Sequence, residues 1–224
     1  CHFPVKERIL LTFHKLKTNC SFAELAVGFR TQPNFAECCF AKTIQSLAQA
    51  FSDAIFLKCT SLQPNKLPAG FHMFPNVKTL LYCIEIKANM MIKILIGIEP
   101  SGHINYLSKV KSSKSLGAIT FNIADLVLSL QPGDAIITDS NFTIDENVCY
   151  SKKIEVIRPA ESSGTLSDSK QAKNIRTNAA RTFIGHKIER LKQFKVLSEK
   201  IESSVEPYID DIMTVICGLH NFLL

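Results

Sequence analysis

The chain has 224 residues, 46% of them hydrophobic, and a formal net charge of +6 at pH 7. That apolar fraction supports a sizeable core and excludes global disorder, and no apolar run reaches the about 18 residues that span a bilayer. The mild basicity is compatible with nucleic acid and equally with an ordinary solvated surface, so it selects no partner by itself.

Residues 5–18 (VKERILLTFHKLKT) place Ile9, Leu10, Phe13 and Leu16 at helical spacing. In NCSFAELAVGF, Ser21 followed by Glu24 has the pattern of a capping box opening a second helix. After the turn RTQPNF, residues 35–57 read as a long helix. These three helices predict a helical head over residues 1–61, with two of them joined by a short turn as in a helix-turn-helix. Residues 62–76 carry Pro64, Pro68 and Pro75 and read as a linker or extended segment.

At Val77 the texture changes. VKTLLYCIEIK, MIKILIGIEP and HINYLSKV are three strand patterns joined by short turns, which predicts an antiparallel meander. SLGAITFNIADLVLSL (residues 115–130) has helical spacing; DAIITD and KIEVIRPA are two further strands. Residues 161–173 are polar and read as a flexible loop. A long basic helical stretch and a closing apolar helix complete the chain. A meander, a helix and then a further strand is the order of a ribonuclease H-like mixed sheet flanked by helices, here over residues 77–224.

The eight cysteines stand at 1, 20, 38, 39, 59, 83, 149 and 217, without a CxxC pair. Most lie in apolar surroundings, which predicts buried thiols of a reducing compartment rather than disulfides or a zinc centre. The first residue is Cys rather than Met, so the chain is expected to be an excerpt of a longer protein.

Several stretches together resemble the DDE transposases of the PIF/Harbinger type. FPNVKTLLYCIEI is similar to the family's Pro-Asn-Val and Ile-Ile-Asp-Cys-Thr-Glu-Ile segment. LQPGDAIITDSNFTID resembles its Pro-Gly-Asp and Ala-Asp-Arg-Gly-Phe segment, RTFIGHKIERLKQFKVL its long carboxylate-bearing helix, and IDDIMTVICGLHNFLL its closing helix. The helical head is similar to the family's helix-turn-helix. The resemblance implies a nuclease whose three carboxylates hold two Mg²⁺ ions, about 3.5–4 Å apart in such sites.

Carried over residue by residue, the first acid falls on Tyr82, the second on Asp139 and the third on Gly185. Glu85 is three residues beyond Tyr82, an odd offset that sends it to the opposite strand face. Glu189 is four residues beyond Gly185, about 6 Å further along the helix axis. The resemblance therefore implies a catalytically inactive derivative with no metal and no cofactor, a nuclear protein-interaction or dimerisation module in chromatin or transcription control. Its expected partners are nuclear proteins, including a second copy of the chain, and no membrane.

Cys38, Cys39 and Phe40, within a helix that has few cations, are the expected partner surface. The alternative is DNA binding through the basic stretch 170–195, with Lys173, Arg176, Arg181, Lys187, Arg190, Lys192 and Lys195 on phosphates, or through a module outside this chain. A less favoured alternative is an active Mg²⁺ nuclease using Asp139, Glu189 and a third acid among Asp134, Asp145 and Glu146.

Overall fold

The computed structural model describes residues 3–56, 67–72, 74–113, 119–139, 142–158 and 168–224. Three helices come first: α1 (Val5–Thr18), α2 (Phe22–Gly28) and α3 (Pro33–Phe56). Asn19 adopts the left-handed region, φ 50°, and its N–H caps Lys15, which ends α1. The capping box is present: Ser21 accepts from the Glu24 N–H, and the Glu24 carboxylate accepts from the Ser21 N–H.

A short 3-10 turn, Ala69–Phe71, leads to β1 (Val77–Lys87), β2 (Met91–Ile98), β3 (Ile104–Leu107) and β4 (Lys111–Ser113). Then come β5 (Thr120–Phe121), α4 (Ala124–Ser129), β6 (Ala135–Ile137), β7 (Thr143–Ile144), α5 (Glu146–Ser151) and β8 (Glu155–Ile157). The helices α6 (Asp168–Lys192) and α7 (Ile209–Phe222) close the chain. The main sheet runs β3-β2-β1-β6-β8, with β4 also paired to β2. β1, β2 and β3 are antiparallel, while β6 and β8 run parallel to β1. This is the ribonuclease H-like mixed sheet that the strand order predicts.

Strand alternation divides the side chains between two cores. Leu80, Ile84, Ile94, Ile96 and Ile137 face one way, into a cluster that also holds Leu11, Phe22, Phe40, Ile184, Ile212 and Ile216. Leu81, Leu95, Tyr106 and Ile136 face the other way, against Leu126, Phe142 and Cys149 beneath α4 and α5. The first cluster joins α1, α2 and α3 to the sheet and to α7 in one continuous interior. Helices α3 and α7 approach so closely that a Cβ at Gly218 would lie 2.7 Å from the Phe51 Cβ.

Two elements differ from their sequence patterns. The helix expected over 115–130 is only Ala124–Ser129. Ahead of it the Asn122 side chain accepts from the Ala124 N–H, and Thr120 and Phe121 pair in parallel with Thr143 and Ile144. A side chain that bonds its own local backbone competes with helix extension. The polar loop expected over 161–173 is helical from Asp168 onward, and its earlier part lies outside the described residues.

Among the described cysteines, Cys39, Cys149 and Cys217 are buried and none is in a disulfide. Burial pushes the Cys217 thiol up to about 12 and the Cys83 thiol up to about 11. Cys1 and Cys59 lie outside the described residues. No helix among those residues is long and apolar enough to cross a membrane.

Candidate active-site cleft

Leu80 of β1 and Ile137 of β6 are Cα partners in the parallel pair, and Tyr82 and Asp139 stand two residues further along each chain. An even offset keeps them on the face of Leu80 and Ile137. Helix α6 crosses that face, burying Ala180, Ile184, Ile188 and Leu191 at helical spacing. Between strand ends and helix lies a cleft of about 490 Å³. Leu80, Tyr82, Ile137 and Asp139 line it from the sheet, and Asn178, Arg181, Thr182 and Ile184 from α6. Gly185 follows directly on this flank, and a Cβ there would meet nothing within 4 Å.

An ion pair stands in the cleft. Arg181 Nη2 donates to Asp139 Oδ1 at 2.5 Å, and Nη1 reaches Asn178 Oδ1 at 3.5 Å. The two side chains are only 33% and 13% exposed, so water screens this pair less than it screens an open surface pair. A divalent cation placed at the carboxylate would meet the guanidinium charge at close range.

The residues present do not fit a pair of Mg²⁺ ions, which need several oxygen ligands at short, fixed distances. Asp139 supplies one carboxylate, with Oδ1 already engaged; Tyr82 supplies a phenol and Gly185 no side chain. Glu85 is on the other sheet face, 2.9 Å from Lys93 Nζ. Glu189 is exposed and stands 3.9 Å from Lys192 Nζ. The acids near Asp139 in sequence serve locally. Asp134 accepts from the Gln131 N–H, Asp145 caps α5, and Glu146 pairs with Arg158. Among the described residues no three His, Cys, Asp or Glu side chains converge as a metal site.

The expected partner surface requires correction. Cys39 and Phe40 are buried, and Phe40 makes edge contacts with the Phe22 and Tyr208 rings. Of the three, Cys38 alone is exposed. The apolar run follows helical spacing with Ala36 and Ile44, which turns Phe40 into the core rather than outward.

The basic residues of α6 are divided. Arg181 faces the cleft, whereas Lys187 lies over the turn at Gly102 on another flank. Lys192 is near Glu189, Lys195 is 3.3 Å from Glu199, and Arg190 is exposed. The side chains of Lys173 and Arg176 lie outside the described residues. Arg181, expected on phosphates, stands instead one helical turn before Gly185 and pairs with Asp139. That i–4 spacing is the signal that places a guanidinium beside the cleft.

A ribonuclease H-like sheet with its candidate cleft at the ends of β1 and β6, under a long helix, defines the class as a nuclease-type domain. Residues 77–221 match the family described as DDE superfamily endonuclease, and the chain belongs to it. A comparison with curated proteins finds no match.

Proposed function

We propose that this chain is a PIF/Harbinger-type DDE domain that no longer cuts DNA and acts as a protein-interaction and dimerisation module of a nuclear chromatin or transcription regulator. The observation that carries the reading is the Arg181–Asp139 pair, which sets a fixed positive charge against the cleft's carboxylate. Metal-assisted phosphodiester hydrolysis needs ions that activate the nucleophile and stabilise the leaving oxygen. A lone carboxylate already bonded to a guanidinium supplies neither function. The interior is well packed on both sheet faces, so the scaffold is intact where the chemistry is not supported.

The test is a nicking assay on supercoiled DNA with Mg²⁺ and with Mn²⁺. The expected result is no cleavage above background. Cleavage that disappears in Asp139→Ala overturns the reading. Sedimentation of the purified chain tests the dimerisation part, and a monomer at all concentrations removes it.

DNA binding by the basic helix is the weaker reading, because Arg181, Lys192 and Lys195 lie against carboxylates of this chain. A gel shift that strengthens steeply at low salt and weakens in Lys192→Ala and Lys195→Ala would favour it instead.

A further inference from the structure

Lys187 and Arg190 make no ion pair with a carboxylate among the described residues, unlike Arg181, Lys192 and Lys195 of the same helical stretch. Lys187 reaches across to the turn between β2 and β3. A Cβ at Gly102 would lie 2.8 Å from its Cε and 2.9 Å from its Nζ. Gly102 itself has φ +94°, which favours glycine there and leaves the lysine its path.

The same turn carries His103, exposed, and from α7 the ring of His220 meets the Gly102 carbonyl, Nε2 to O 3.2 Å. Burial first, and then the positive charges of Lys187, Arg190 and His103, hold His220 below its ordinary value. Lys187 meets the turn from α6, Arg190 stands three residues further along the same helix face, and His103 and His220 are the imidazoles beside it; Lys187 and Arg190 are the cations. The turn's one carboxylate, Glu99, is buried and accepts from the Ser101 hydroxyl at 3.2 Å. The edge of β3 is closed to strand addition at Ile104, whose N–H and carbonyl both bond the Asn221 side chain, at 2.8 and 2.7 Å.

We infer that the Gly102 turn, with His103, Lys187 and Arg190, is a docking surface for a short acidic peptide segment of a partner protein. Charge complementarity carries the choice, because two cations without a carboxylate partner among the described residues favour a partner of opposite sign. The patch is compact. A duplex bound through its backbone typically engages about 6–10 phosphates along a track, whereas two cations beside one turn match a few consecutive Asp or Glu side chains. The inference rests on the interaction-module reading and names the surface that reading lacked.

The test is fluorescence anisotropy of the full chain with a fluorescein-labelled hexaglutamate peptide at low salt. Binding is expected, with a loss of about tenfold or more, equal to about 1.4 kcal/mol, in the Lys187→Glu/Arg190→Glu double variant. A milder loss is expected in Lys187→Gln/Arg190→Gln, which keeps the test valid if charge reversal unfolds the helix. Lys6→Glu/Lys42→Glu makes the same charge change at exposed sites on α1 and α3 and is expected to leave affinity within about twofold.

Absence of binding overturns the inference, as does an equal loss in the control pair. Displacement of the peptide by a short DNA duplex at lower concentration than by unlabelled peptide reassigns the surface to nucleic acid and also overturns it. Cleavage in the nicking assay would sink the inactive reading alone, so the two failures are distinguishable.

Discussion

Two ion pairs of the same length, 2.5 Å, occupy opposite situations in this molecule. Lys15 is 0% exposed; its ammonium donates to Glu202 Oε2 and to the Cys20 carbonyl and stands 4.5 Å from the centre of the Phe22 ring. It ties α1 and the start of α2 to the segment between α6 and α7. Arg181 and Asp139 instead sit at the mouth of a cleft, where part of the guanidinium meets water. The first pair fastens the helical head to the body. The second fixes the charge of a site. Equal lengths therefore do not mean equal worth, because desolvation, not distance, sets what is lost when one partner goes.

Breaking the first pair gives the largest effect. Glu202→Ala leaves a buried ammonium short of its counter-charge and is expected to cost about 3 kcal/mol in denaturant unfolding. Lys15→Met is expected to cost less, because Glu202 is 40% exposed and its carboxylate regains water. An equal cost for the two would show that the asymmetry of burial does not matter here.

Breaking the second pair sharpens the contrast. Arg181→Ala is expected to cost about 1–2 kcal/mol, less than Glu202→Ala, since the Asp139 carboxylate it leaves is 13% exposed but borders a cleft that water can enter. Its clearer consequence is at the cleft. The combined variant Tyr82→Asp/Arg181→Ala/Gly185→Glu places three acids where the fold brings them together and removes the opposing charge. Calorimetric titration is expected to show Mn²⁺ binding in this variant and none in the parent. Gly185→Glu has room, since a Cβ there meets nothing within 4 Å. Equal Mn²⁺ affinity in parent and variant would break the comparison.

The smallest expected effect is a pH slope. His220 has its folded-state value lowered, chiefly by burial, so the unfolded chain takes up the proton first. Stability is therefore full above the ordinary value of 6.5 and falls as pH drops through 6.5 toward the lower folded value. His220→Gln is expected to flatten this part of the stability curve. A slope that persists in the variant would assign it to other groups.

Most of the secondary structure was legible because its signals are local. Apolar spacing marks α1, α3 and α7, the Ser21–Glu24 pattern marks the start of α2, and the Pro132–Gly133 turn marks the approach to β6. Asp139 and Tyr82 follow from the family resemblance of their two segments, and the parallel pairing of β1 with β6 puts them on one cleft. Residues 115–130 misled because Thr120 and Phe121 are claimed by a partner strand 23 residues away, which no local pattern reports. Phe40 misled in the other direction, as an apolar surface expectation that three neighbouring helices and Tyr208 turned into core.

The sequence by itself determined which elements form, the sheet class to which they belong, and the residue types at the three aligned positions. These follow from periodicity, capping and covalent identity, which are properties of short segments. Only the tertiary structure decided that Arg181 neutralises Asp139, that Lys15 is buried against Glu202, and that Lys187 and His220 meet the Gly102 turn. Charge interactions depend on distance and on exclusion of water, and both are set by how distant segments pack rather than by their order along the chain.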